Sequence, residues 1–278
     1  MKNNKQFHHS KKLGQNFLRD YSVVEAIVAG SGIDRETLVL EIGPGEGVLT
    51  EELAAAAGAV LAVELDDRLI PVLRRRFQYR SNVEIIHGDI LKTDIPRLLQ
   101  EAQERYRLST VRIVGNLPYY ITTPIIMKLL ESDIQAASIT AMMQKEVADR
   151  LIAEPGTKHA GAITYAVQYR CAVVRICEVG RECFYPVPKV DSTVLRLDLL
   201  EEPPVQLSDE EAFFSCIKAG FSQRRKTLLN ALSAMPGADR ASVEAGLRAA
   251  GIDPVRRAES LSMEEFARVS EHLGRSIE

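Results

Sequence analysis

The stretch that most constrains this chain is residues 37–50, TLVLEIGPGEGVLT. A mostly apolar run of six ends at a cluster of glycines, Gly43, Gly45 and Gly47. Such a run reads as a strand covered on both faces, which belongs in a parallel sheet sandwiched by helices. Residues 48–57 read as a helix, ended by Gly58. Glycines between a strand and a helix permit positive φ and let the backbone approach a ligand closely. The expected fold class is therefore α/β.

The rest of the first two hundred residues repeats that alternation. A helix is expected over 21–30, strands over 60–64, 82–87, 111–115 and 137–143, and helices over 66–77, 123–130 and 146–153. Pro124 suits a first helical turn. Residues 162–174 and 193–199 then read as two strands with no helix of ordinary length between them, the second as an antiparallel addition to the sheet. Glu201-Glu202-Pro203-Pro204 is the best boundary signal. Beyond it helices are expected at about 208–220, 224–233, 240–250 and 262–273, with Gly251 and Pro254 as punctuation. The expected division is a ligand-binding domain over 1–202 and a helical domain over 203–278.

The glycine-rich loop carries the first candidate site. Glu64 stands 23 positions after Glu41, at the end of the next strand. There a carboxylate can accept hydrogen bonds from both hydroxyls of a ribose. A dinucleotide fingerprint GxGxxG does not fit, because position 48 is Val. A loop that begins with acidic Glu41 suits a cationic sulfonium with an amino-acid tail better than a pyrophosphate, so S-adenosylmethionine is favoured over NAD. Asp89, after the third of these strands, falls on the same rim and can accept from a cofactor adenine amine; a plain helix N-cap is its other reading.

Asn116-Leu117-Pro118-Tyr119 follows the next strand. The N6 lone pair of adenine is delocalised into the ring, so the nitrogen is a poor nucleophile. Two acceptors aimed at its hydrogens help turn the lone pair toward a methyl group. The Asn116 side-chain oxygen and the Leu117 carbonyl, beside rigid Pro118, supply two, and Tyr119 supplies a stacking face. Without the cofactor loop upstream the same four residues read as a β-turn. Phe184 begins FYPVPKV, a loop stiffened by two prolines, and is a candidate to close the other face of a splayed base.

Composition narrows the classes. Hydrophobic residues make up 46% and charged residues 26%, which is ordinary for a soluble globular protein. There is no apolar h-region at the N-terminus and no run long enough to span a bilayer, so a cytoplasmic protein is expected. Cys171, Cys177, Cys183 and Cys216 lack CxxC spacing, and no metal site is expected. The net charge of −3 is uneven: residues 1–19 (Lys2, Lys5, Lys11, Lys12, Arg19) and 218–257 each carry +5, leaving −13 elsewhere. Basic patches attract phosphates. Arg74-Arg75-Arg76 read as an exposed helix face, and His8 and His9 carry no assignment.

With these residues in view, the chain resembles the small-subunit (16S) ribosomal RNA adenine dimethyltransferase family, of bacterial type. The matching stretches are KKLGQNFLRD (11–20), VLEIGPGEGVLT (39–50), VELD (63–66), GDIL (88–91), GNLPYYITTPI (115–125), FYPVPKVDS (184–192) and FSQRRKTLLN (221–230). The resemblance implies a Rossmann-like class I methyltransferase sheet with a small all-helical C-terminal domain. It implies N6,N6-dimethylation of two adjacent adenines near the 3′ end of small-subunit rRNA, with four cofactor molecules consumed. It places cofactor contacts at Asn16, Leu18, Gly43, Gly45, Glu64, Asp89 and Asn116, and catalysis at Asn116, Leu117, Pro118, Tyr119 and Phe184. It gives Lys218, Arg224, Arg225 and Lys226 the task of meeting rRNA phosphates. A monomer acting on the immature 30S particle, away from any membrane, is expected. A non-catalytic assembly factor and a large-subunit rRNA adenine methyltransferase are the alternatives; in the latter branch Ile usually stands where this chain has Leu117, and FSQRRKTLLN is generally lacking.

Overall fold

A computed structural model describes residues 16–132, 134–223 and 225–274. Lys2, Lys5, Lys11, Lys12 and Arg224 lie outside the described residues. The chain divides into two compact units, one of residues up to 148 with 173–199, the other of 149–172 with 200 onward. The second unit thus begins in sequence well before the Pro203-Pro204 signal, then resumes within three residues of it.

The first unit is built on a seven-stranded sheet. In chain order the strands are β2 (Thr37–Ile42), β3 (Ala59–Glu64), β4 (Val83–His87), β5 (Thr110–Asn116), β6 (Ser138–Gln144), β7 (Cys171–Val179) and β9 (Ser192–Leu199). Their spatial order is β4-β3-β2-β5-β6-β9-β7. Strands β4, β3, β2, β5 and β6 are parallel, and β9 pairs antiparallel with β6. Every residue of β2 and β3 is buried, as their mostly apolar runs require. Helices α1 (Tyr21–Gly30), α2 (Val48–Ala56), α3 (Ile70–Arg76), α4 (Ile95–Tyr106) and α5 (Thr122–Glu131) intervene. From β2 the chain moves one way through β3 to β4, then returns to lay β5 on the other side of β2. The crevice beyond the carboxyl ends of β2 and β5 is the topological switch point, where open α/β sheets bind ligands.

A separate two-stranded antiparallel sheet joins β1 (Phe17–Leu18) to β8 (Phe184–Tyr185), with Phe17 opposite Tyr185 and Leu18 opposite Phe184. The same segments are also tied by the Arg19 N–H donating to the Cys183 carbonyl at 2.8 Å. This draws an N-terminal arm and a distant loop together, a pairing that neither segment's own pattern announces.

Helix α6 (Lys145–Ile152) leads into the second unit, which holds α7 (Ala162–Arg170), α8 (Glu210–Ser222), α9 (Leu228–Leu232), α10 (Arg240–Ala249) and α11 (Met263–Gly274). The expected strand over 162–174 is a helix for its first nine residues and a strand only from Cys171. The β-branched and aromatic residues that suggest a strand here are instead helix residues buried on several sides: Thr164, Tyr165, Ala166, Val167 and Tyr169. Tyr165 is fully buried, packs edge-on against Phe266 at 5.1 Å and donates its hydroxyl to the Leu261 carbonyl at 2.6 Å. Tertiary burial overrides local preference.

Candidate active site

The cavity at the switch point is lined by Gly43, Gly45, Glu64, Asp89 and the turn from Asn116 to Tyr119, with Asn16 and Leu18 contributed by the arm. Phe184 is the one cofactor or catalytic candidate that stands apart. It is 2% exposed and packs in a core cluster with Leu18, Val24, Val179 and Val194 rather than lining the cavity. Its β8 neighbour Tyr185 is 56% exposed.

The loop after β2 owes its shape to left-handed residues. Gly45 and Gly47 have φ of 60° and 84°. A Cβ on Gly47 would come within 2.8 Å of the Phe77 ring, and one on Gly45 within 3.0 Å of the Phe17 ring. No side chain fits at either position without displacing an aromatic ring. The loop is fastened to β3, because the Gly45 N–H donates to Glu64 Oε2 at 3.1 Å. Glu64 Oε1 accepts from the Asp66 N–H at 2.8 Å. Burial pushes the Glu64 pKa above the usual carboxylate range, while these N–H groups work in the other direction.

Glu41, one residue before the end of β2, is 1% exposed and also faces this cavity. Its pKa is pushed up to about 8, first by burial and then by the charge of Glu64, with the nearby Thr50 hydroxyl opposing. Even so, neither Glu41 Oε2 nor Thr50 Oγ1 makes a hydrogen bond of normal geometry among the described residues. A buried, unpartnered carboxyl oxygen on a cavity wall calls for a donor or a cation. That fits a ligand carrying sulfonium and ammonium groups, and it does not fit a pyrophosphate.

Asp89 accepts from the Leu91 N–H at 3.0 Å and lies 3.8 Å from Lys92 Nζ, so it shapes a turn while facing the cavity. Apolar walls come from Leu65 and Ile90, each directly after one of the acidic residues. They bear no polar signature, and sequence reasoning passes over them. The same holds for Phe17.

Asn116 closes β5, paired across to Met142 of β6. Its side-chain Nδ2 donates to the Asn16 carbonyl at 3.1 Å, which commits one end of the amide, while the oxygen takes no hydrogen bond from a described residue. The Pro118 carbonyl already accepts from Thr122 Oγ1 at 3.0 Å and the Ile121 N–H at 3.1 Å. The Leu117 N–H is used by the Met142 carbonyl at 3.1 Å, whereas no described residue donates to the Leu117 carbonyl. Tyr119 is half-buried, and its hydroxyl lies 2.7 Å from Ser192 Oγ.

The basic candidates sit in the helical unit. Lys218 is exposed on α8, and Arg225 and Lys226 are exposed between α8 and α9, with no ion pair to a described residue. Arg74 and Arg75 are exposed at the end of α3, and Arg76 pairs with Glu51 at 2.6 Å. None of the four cysteines forms a disulfide among the described residues, and Cys171 and Cys216 are buried. No described helix is long and apolar enough to cross a membrane.

A sheet of this order, with a glycine-rich loop after β2, an acidic residue ending β3 and an Asn-Leu-Pro-Tyr turn ending β5, defines a class I methyltransferase. The match to the Ribosomal RNA adenine dimethylase family covers residues 6–274, and the chain belongs to that family. The Ribosomal RNA small subunit methyltransferase A of Clostridium acetobutylicum is 46% identical over 269 residues, covering 97% of this chain and 95% of the relative. That of Geobacillus thermodenitrificans is 48% identical over 270 residues, covering 96% and 92%. Among solved structures, a dimethyladenosine transferase from Plasmodium falciparum superposes with a TM-score of 0.77 at 25% identity, covering 93% of this chain and 98% of that one. The 23S rRNA methyltransferase ErmE superposes with a TM-score of 0.69 at 30% identity, covering 93% and 100%.

Proposed function

We propose that this chain transfers methyl groups from S-adenosylmethionine to the N6 amines of two adjacent adenines near the 3′ end of small-subunit rRNA, twice at each, during assembly of the 30S particle. The observation that carries the reading is Asn116. It ends β5 in the same cavity as Glu64 and Asp89, with its amide nitrogen already committed. The higher identity to small-subunit enzymes than to ErmE favours small-subunit rRNA over the large subunit.

Glu64 holds the ribose hydroxyls, Asp89 the adenine amine, and the backbone of the Gly43–Gly45 loop the amino-acid tail, with Asn16 and Leu18 closing the cavity. When bound, the cofactor supplies an electrophilic methyl on a cationic sulfur. The target adenine stacks on Tyr119. The Asn116 oxygen and the Leu117 carbonyl accept from its N6 hydrogens, and Pro118 keeps the turn stiff. Held so by Asn116 and Leu117, the N6 lone pair would point at the methyl that the bound cofactor would supply, and the proton lost from nitrogen would pass to solvent. The nitrogen becomes acidic as it is methylated, so it releases its proton without a strong base. Lys218, Arg225 and Lys226, with Arg224, orient the particle through phosphates rather than bases.

The test is incubation with labelled S-adenosylmethionine and undermethylated small subunits, followed by digestion of the RNA. The expected product is N6,N6-dimethyladenine; its absence sinks the catalytic reading and favours a pure assembly factor. Asn116→Ala is expected to keep particle binding and lower transfer about 10²- to 10³-fold. Normal turnover by that variant removes Asn116 from the mechanism.

A further inference from the structure

We infer that Ser192 is a positioning residue for methyl transfer: its hydroxyl tethers the Tyr119 phenol and so fixes where the ring that stacks on the target adenine is held. The inference rests on the adenine reading above.

Stacking needs only a ring, and phenylalanine would supply one. The Tyr119 hydroxyl therefore requires its own account, and among the described residues it has a single partner, Ser192 Oγ, at 2.7 Å. An aromatic side chain has one staggered torsion and a second, broad one. The phenol oxygen lies on the axis of the second, so a hydrogen bond at the far end of the ring holds the first and with it the position of the ring. Ser192 is suited to be the fixed end, because it is fully buried and is the first residue of β9. It stands opposite Gln144, the last residue of β6, while Asn116 at the end of β5 stands opposite Met142. The antiparallel run of β9 thus delivers its first residue to the same rim that carries the catalytic turn. Tether and acceptor are held by two strands of one sheet, β9 and β5, with β6 between them.

A hydrogen bond at this place is not automatic. The next residue, Thr193, is also fully buried, and its hydroxyl has no partner among the described residues. The pairing at Ser192 is specific to that hydroxyl and to Tyr119. Its chemical use follows from the reaction. The methyl must meet the N6 lone pair along its axis, and that axis is fixed to the plane of the base. A ring free to swing about its first torsion shifts the base it carries and spreads the angle of approach, and reactivity falls steeply with misalignment. The constraint applies to both transfers on each adenine.

The experiment measures single-turnover transfer and cofactor affinity for the full chain with undermethylated small subunits. Ser192→Ala and Tyr119→Phe each remove the same hydrogen bond from opposite ends. Each is expected to lower the transfer rate about tenfold and to leave the Kd for S-adenosylmethionine within about twofold. The double variant is expected to be no slower than either single, because Ser192 acts only through Tyr119. Full activity in either single variant, or losses that multiply in the double, overturns the inference. Where Ser192→Ala disturbs β9, shown by a lower Tm, Tyr119→Phe decides alone, since it leaves the strand intact. An inactive wild-type chain indicts the adenine reading instead; an active wild type with equally active variants indicts only the tether.

Discussion

At the scale of single residues, Glu41 carries the sharpest prediction. It is buried, its Oε2 has no hydrogen-bond partner among the described residues, and burial pushes its pKa up to about 8, so it is neutral in the free protein at pH 7. A cationic ligand beside it favours the carboxylate and lowers that pKa. Binding of S-adenosylmethionine then releases a proton, so affinity rises with pH and levels off above about pH 8. Calorimetry in buffers of different ionisation enthalpy reads the released proton directly, and Glu41→Gln is expected to abolish it. The sign for stability is the reverse. A carboxyl whose folded pKa is raised costs stability as pH climbs from its unfolded value of about 4.5 toward the folded one. The free protein is expected to melt at a lower temperature at pH 8 than at pH 5, and Glu41→Gln to narrow that gap. An unchanged gap in the variant locates the titration elsewhere, Glu64 being the nearest candidate.

At the scale of elements, the arm 16–20 does more than cap a cavity. The Phe17 ring packs on Leu69, Leu73 and Phe77 and lies over Gly45, the Asn16 carbonyl holds Asn116, Arg19 pairs with Glu46 at 2.9 Å, and β1 pairs with β8. One short segment thus braces the glycine-rich loop, the turn that begins at Asn116 and the loop at 184–188. Phe17→Ala is expected to cost about 3 kcal/mol of stability and to raise the Kd for S-adenosylmethionine at least about tenfold, read by melting and by titration. Unchanged affinity confines Phe17 to packing. The elements also show where sequence pattern suffices. The buried runs of β2 and β3 and the glycine turn were legible because apolar continuity and positive φ are local demands. Helix α7 was not, because Tyr165 and Tyr169 look like strand residues until the surrounding helices bury them. The β1–β8 pairing joins residues more than 160 positions apart, beyond any local pattern. Phe184 shows the converse. An aromatic beside prolines suggests a stacking face, and the ring is spent on the core. Ser192 carries no signal of its own, since a serine beginning a strand is unexceptional until Tyr119 reaches it.

At the scale of the whole chain, charge is the organising fact. A net of −3 conceals +5 over residues 218–257, and Lys218, Arg225 and Lys226 there are exposed without a described counter-ion. Long cations at the tip between α8 and α9 gain nothing for packing, and a folded helical unit does not need them. Phosphates give them a role, and that role has a quantitative signature. Each phosphate neutralised releases condensed counter-ions, so the logarithm of affinity falls with the logarithm of salt by about 0.9 per contact for a duplex and about 0.7 for a single strand. Arg225→Ala with Lys226→Ala is therefore expected to weaken binding to the small-subunit particle and to flatten its salt dependence by one to two units of slope. Cofactor affinity is expected to stay unchanged, because neither residue lines the cavity. Binding measured across about 50 to 200 mM salt separates the cases. A weaker affinity with an unchanged slope assigns the two cations to the fold of the helical unit rather than to RNA. An unchanged affinity returns them to the solvated surface, and the particle is then held by other residues.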